Sequence, residues 1–147
     1  MLTFKPATHN DFNIWSRFRD ELYGDLKPDY IEAEIKRIIE DPDLASFIIY
    51  DKKNKTPVGM VEMSLRNIVD GCVSSPVAYI DGLYLIEEYR GKGFGKALIS
   101  FTKKWAKENN CTELAVDTEL DNKRAQKFYL REGFGETFRI VQFKMTL

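Results

Sequence analysis

Cysteine and histidine are almost missing from this chain, which has two cysteines, Cys72 and Cys111, and one histidine, His9, in 147 residues. Two thiols so far apart make neither a metal knuckle nor a disulfide framework, and they read as buried or loop thiols kept reduced. A Cys-His or Ser-His nucleophilic pair would have only His9 to draw on. That residue lies in Pro6-Ala7-Thr8-His9-Asn10-Asp11, where Thr8 and Asp11 have capping-box spacing at a helix entrance, so its place is structural. No metal site is expected. Nor does any apolar run approach the roughly 18 residues of a membrane span. The chain opens on strand-like Leu2-Thr3-Phe4 rather than a signal peptide, so a cytoplasmic protein is expected. An excess of either charge is lacking as well. The 22 basic and 23 acidic residues leave a formal charge of −1, which excludes a whole-chain bias toward nucleic acid or an anionic membrane. Charge-based recognition must be local. Without linkers, repeats or low-complexity stretches, residues 1–147 read as a single domain with volume for a real core.

Glycine is concentrated where it carries meaning. Arg90-Gly91-Lys92-Gly93-Phe94-Gly95-Lys96 lies between a strand-like run ending at Leu85 and a helix-like run starting near Phe94. Alternating glycines let backbone N–H groups converge on a ligand, and the following helix adds the positive end of its dipole. The letters exclude two familiar phosphate loops: a dinucleotide fingerprint needs Gly at Lys96, and a P-loop needs Gly at Arg90 and Ser or Thr at Ala97. What remains is Arg-x-x-Gly-x-Gly at Arg90, Gly93 and Gly95, a loop suited to an anionic cofactor.

The flanks support a catalytic setting for this loop. Val77 to Ile86 is an apolar, aromatic and β-branched stretch of the kind found in a largely buried strand. Gly82 interrupts it, as glycine does at a bulge or a close backbone approach. Downstream, Phe94 to Asn109 places Leu98, Ile99, Thr102, Trp105 and Ala106 at helical spacing, with Lys96, Lys103, Lys104 and Lys107 on a solvated face. Nearer the C-terminus, Leu114-Ala115-Val116-Asp117-Thr118 reads as a strand. After it, Asp121 or Asn122 caps a helix that Gly133 stops.

The remaining elements follow from period and punctuation. A first strand covers about Leu2 to Lys5, a helix Asn10 to Tyr23 with a stripe of Phe12, Trp15, Phe18, Arg19 and Leu22, and a second helix Asp29 to Glu40. Strands Ala45 to Asp51 and Pro57 to Arg66 are joined by a polar hairpin turn. Two further strands are predicted in the tail, near Glu136 and over Val141 to Thr146.

The Arg90 loop, with Asn122-x-x-Ala125-x-x-Phe128-Tyr129-x-x-x-Gly133-Phe134 about 30 residues later, resembles the GNAT superfamily of N-acetyltransferases. The resemblance implies an α+β fold: a mixed, mostly antiparallel central sheet with a splayed fourth and fifth strand pair, flanked by about four helices. It implies acetyl-CoA as co-substrate, bound by Arg90, Gly91, Lys92, Gly93, Phe94, Gly95 and Lys96, with Asn122, Ala125 and Phe128 along its arm. Amides of Leu83, Tyr84 or Leu85, beyond the bulge, would face the thioester carbonyl. Tyr129 either donates a proton to the departing thiolate or packs on the sheet beside Phe128. Asp117, at a strand end, either takes the ammonium proton of the acceptor or caps the next loop.

Further segments, Ser64-Leu65-Arg66, Asp70-Gly71-Cys72-Val73-Ser74-Ser75-Pro76-Val77 and Asp81-Gly82-Leu83-Tyr84 among them, resemble the aminoglycoside 6'-N-acetyltransferases. That resemblance implies an acceptor site for a cationic amine at Tyr23, Asp81, Asp117 and Glu136, and a possible homodimer through the C-terminal Ile140 to Met145. The chain departs from the subfamily in having Tyr23 for its usual Trp, Asp81 for Glu, and Ile68-Val69 where a Tyr is usual. Other readings are a transferase for a polyamine, amino sugar or peptide N-terminus, and a non-catalytic CoA-binding module.

Overall fold

The computed structural model describes residues 1–147. Its order is β1 (Leu2–Pro6), α1 (Phe12–Tyr23), α2 (Pro28–Glu40), β2 (Leu44–Asp51), β3 (Pro57–Arg66), β4 (Val77–Leu85), α3 (Gly95–Glu108), β5 (Leu114–Val116) and α4 (Lys123–Arg131). Short 3₁₀ turns stand at His9–Asp11 and Glu87–Tyr89. The Thr8–Asp11 capping box forms as expected and caps the first of these turns. Pro28 opens α2, where its missing N–H costs nothing.

The five strands form one sheet in the order β1-β2-β3-β4-β5. All neighbours are antiparallel except β4 and β5, which run parallel for three residues, Ala78–Ile80 against Leu114–Val116. Helices cover both faces. Trp15, Phe18, Ile31, Ile35 and Ile38 from α1 and α2 bury against Ile48 and Met60. Ile99 and Ala106 of α3 bury against Val61, Met63, Ala78 and Ile80 on the other side. Successive residues such as Met60 and Val61 thus serve opposite cores, as strand alternation requires.

One irregularity positions the site. Glu62 on β3 pairs with Gly82 and Met63 with Ile80, so Asp81 is the extra residue of a β-bulge. The bulge reverses the parity of β4. Ala78 and Ile80 face α3, whereas Tyr84, again an even position, packs beside Phe18 on the α1 face. Beyond Ile80, β4 continues to Leu85 with no β5 partner, which is the expected splay.

The two predicted tail strands do not form. The chain after Gly133 makes no strand or helix, and Phe138, Ile140, Val141, Phe143 and Met145 lie exposed. A strand needs a neighbour, and β5, the edge nearest in sequence, bonds only to β4. No helix is long and apolar enough to cross a membrane, and both cysteines are free.

Candidate active site

The loop after β4 is a backbone device. Gly91 and Gly93 both hold left-handed φ values, +68° and +85°, and a Cβ added at either would meet no atom within 4 Å. The loop is therefore open on the side where the glycines lie. Its ends are clamped: Tyr89 packs on Phe94 with centroids 5.5 Å apart and its hydroxyl bonds Asp51. Arg90 turns back, its Nε donating to the Leu85 carbonyl at 2.7 Å. The Leu98 N–H donates to the Phe94 carbonyl at 3.1 Å, so the amides ahead of Leu98 have no carbonyl four residues back inside α3 and form a donor cluster at its positive end. Lys92 and Lys96 are exposed beside them.

Gly95 is needed for a different reason. A Cβ there would lie 2.4 Å from Phe128 Cε1, so glycine lets α3 start directly against α4. In α4, Asn122 Oδ1 accepts from the Ala125 N–H at 3.1 Å, which makes both residues part of a helix cap. Tyr129 is half-buried, edge-on to Phe128 at 5.1 Å and to Phe134 at 5.4 Å. Burial, reinforced by the negative charge of Asp117, pushes its phenol up to about 12.

Strand geometry decides which amides face the splay. A Cβ on Gly59 of β3 would sit 2.1 Å from the Tyr84 carbonyl oxygen, so Tyr84 turns its polar groups toward β3. Leu83 and Leu85 must turn theirs the other way, into the gap that β5 leaves. Leu85 shows this, since its carbonyl receives Arg90. Of the three amides expected near a thioester, the Tyr84 amide is thus committed to the ladder. The open glycine loop, the α3 amides and these two strand amides fit an elongated, phosphate-bearing thioester.

On the other side of the bulge lies a cleft of about 410 Å³ lined in part by Tyr23, Glu62, Ser64, Arg66 and Asp81. Its floor is a buried ion pair. Arg19 donates to Glu62 at 2.6 Å, with side-chain exposures of 6% and 4%. Trp15 Nε1 and the Tyr23 hydroxyl also donate to the Glu62 carboxylate, at 2.8 and 2.9 Å. Burial, then the Glu62 charge, drives the Tyr23 phenol far above its ordinary range, so it stays a donor. Gly82 admits this arrangement, for a Cβ there would fall 2.4 Å from the Tyr23 hydroxyl.

Asp81 is ion-paired with Arg66 at 2.6 Å, and the guanidinium lies 3.4 Å from the centroid of the Tyr79 ring. The Tyr79 hydroxyl donates in turn to Asp117, and burial, then this bond, raises its pKa well above the ordinary phenol value. The Tyr23 hydroxyl also reaches the Asp81 carbonyl at 3.4 Å, so Tyr23, Asp81 and Asp117 are joined in one cluster through Arg66 and Tyr79. Glu136 is not. It lies exposed in the tail and pairs with Arg139, whose hydrogen bond holds its carboxyl below the usual range. The Asp70–Val77 loop is tied to Glu113, which accepts from the Val73 and Ser74 amides at 2.8 and 2.7 Å.

Sequence reading missed Glu62, Arg66, Tyr79 and Glu113. A signal existed for the first: a carboxylate inside an otherwise apolar strand, and an arginine within the apolar stripe of α1, each demand a buried partner.

The acetyltransferase (GNAT) family model matches residues 12–134, and the chain belongs to that family. It is 34% identical over 140 residues to aminoglycoside N(6')-acetyltransferase type 1 of Serratia marcescens, covering 95% of each chain. Among solved structures it superposes on AAC(6')-Iy in complex with the bisubstrate analogue CoA-S-monomethyl-acetylneamine, with a TM-score of 0.90, 28% identity and coverage of 100% and 99%. The aminoglycoside 6'-N-acetyltransferase AAC(6')-Ih of Acinetobacter baumannii gives 0.87, 29% identity and the same coverage.

Proposed function

We propose that residues 1–147 act as one domain that transfers the acetyl group of acetyl-CoA directly to the 6'-amine of an aminoglycoside, in the cytoplasm, as an antibiotic-resistance enzyme. The observation that carries this reading is the placement of an open glycine loop and two unpaired strand amides on one side of the Asp81 bulge, with a carboxylate-bearing cleft on the other. Full-length likeness to enzymes of that name supports the choice of acceptor.

Acetyl-CoA supplies an activated acyl group on a thiol leaving group. The amides of Gly91 to Lys96 cradle its phosphates, and Phe128, with the cap at Asn122 and Ala125, borders its arm. Leu83 and Leu85 present N–H groups where negative charge develops on the carbonyl oxygen. Such donors are worth about 3 to 4 kcal/mol each in acyl transfer. Asp117 accepts the ammonium proton, directly or through water, so that a neutral amine attacks. Tyr129, protonated at all ordinary pH values, gives its proton to the departing thiolate and recovers one, through water, from the nitrogen of the collapsing adduct. Asp81 and the ring of Tyr23 hold the rest of a cationic acceptor.

The tail supports a homodimer. Val141, Phe143, Met145 and Leu147 alternate with Gln142, Lys144 and Thr146, and all four apolar side chains are at least 74% exposed. A strand-like segment with one apolar face and no partner in its own chain suits the sheet of a second copy, which would also draw Glu136 toward an acceptor site. Light scattering should show a dimer, and a chain ending at Gly135 should be monomeric.

The test of function is CoA thiol release from acetyl-CoA with kanamycin, spermidine, glucosamine or a short peptide as sole amine. Release with kanamycin is expected. Release only with another amine would keep the catalytic groups and discard the acceptor assignment, and silence with all four would favour a CoA-binding module.

A further inference from the structure

The acceptor cleft holds two arginine–carboxylate pairs, and they differ in one respect that matters for binding. Arg19 and Glu62 are buried, and separating them would strand a charge away from water. Arg66 and Asp81 are 43% and 28% exposed at their side chains. A pair of that kind is held weakly, because water can take over either partner. Arg66 can also leave easily, since its long stem lets the guanidinium swing outward while the chain stays put.

Arg66 nonetheless touches three groups at the acceptor cleft. Its terminal nitrogen meets Asp81, its Nε donates to Ser64 Oγ at 3.3 Å, and its plane covers Tyr79. Tyr79 in turn binds Asp117. One guanidinium thus stands beside Asp81 and, through a ring, behind Asp117.

We propose that Arg66 is a specificity-determining residue, an internal cation that holds Asp81 in the empty enzyme and is exchanged for an ammonium group when a polycationic acceptor binds. The inference rests on the acceptor assignment made above. A monoamine must give up its one charge to react, so it has nothing left with which to displace Arg66. An acceptor with a second ammonium keeps a charge for Asp81 after the first amine is deprotonated. The exchange also means that binding adds one less net positive charge to the cleft than the ligand carries, which makes affinity less sensitive to salt.

The experiment is calorimetric titration of kanamycin into wild-type, Arg66→Met and Arg66→Lys proteins at several salt concentrations, with CoA titrated as an internal control. Arg66→Met should bind kanamycin about fivefold tighter at low salt, the size expected from releasing an exposed pair, with a steeper salt dependence. Arg66→Lys, which keeps the internal charge, should retain the wild-type slope, and CoA binding should be equal in all three. Equal or weaker kanamycin binding by Arg66→Met, or an unchanged salt slope, would show that Arg66 only braces Asp81 and would overturn the inference alone. No kanamycin binding by any form, with CoA still bound, would overturn the acceptor assignment and the inference together.

Discussion

The two ends of the candidate site are built from different materials. The proposed acetyl-CoA end is backbone: glycines at positive φ, the first amides of α3 and the outward amides of Leu83 and Leu85. The proposed acceptor end is side chains, gathered from α1, β3, β4 and the segment after β5, and held by charge. Donors fixed in the backbone are preorganised and do not depend on which side chains surround them. A charge network is adjustable one residue at a time, which suits a surface that must match a particular amine. The Asp81 bulge joins the two, because the extra residue both opens β4 from β5 and turns Gly82 toward Tyr23.

Mutations should separate the two ends. The largest effect is expected from Glu62→Ala. It leaves Arg19 buried without its partner, which costs about 3 to 5 kcal/mol and should lower Tm by on the order of 10 °C. Thermal unfolding checks this, and the double variant Arg19→Met/Glu62→Leu should regain only part of the stability, because Trp15 Nε1–H and the Tyr23 hydroxyl stay without their acceptor, and should not regain acceptor binding. Next is Asp117→Asn, which should lower kcat by about 10²-fold with the KM for acetyl-CoA unchanged. Equal turnover would remove Asp117 from the mechanism.

Gly95→Ala should do the reverse. Its Cβ collides with Phe128, at a cost of about 1 to 3 kcal/mol, and the displaced α3 start should raise the KM for acetyl-CoA while acceptor affinity holds. Phe128→Leu in the same chain should recover part of the loss. The smallest effect is a flat alkaline limb. With its folded pKa near 12, Tyr129 keeps its proton as pH rises and loses it only through that value. Its deprotonation should therefore not lower kcat below about pH 11. A decline in kcat near pH 9 that disappears in Tyr129→Phe would contradict this.

The acetyl-CoA end was legible because its signals are local. Arg90 to Lys96 spell their own loop, and Asn122 and Gly133 punctuate α4 where the chain turns. Even so, the letters present Gly95 as one more loop glycine converging on a ligand, whereas the structure shows it making room for Phe128. Which residue packs on it is a tertiary fact. The acceptor end was half legible. Tyr23, Asp81 and Asp117 were named from resemblance, whereas Glu62 and Arg19, 43 residues apart, announce only that each needs a partner. Arg66 stands in a segment that carries the resemblance, but its role gave no sign, for a charge at a strand end is ordinary. The tail misled, since alternation in Val141 to Met145 states that a strand is wanted and not which chain supplies its neighbour.

One measurement reaches the centre of this account, which is that the two ends meet over a single amine. Kanamycin acetylated by the enzyme should be mapped by two-dimensional NMR. Acetylation of the 6'-nitrogen alone is the expected result, with one CoA thiol released per acetyl group transferred. Acetyl groups on another ring, a mixture of positions, or unmodified kanamycin beside intact acetyl-CoA would contradict it.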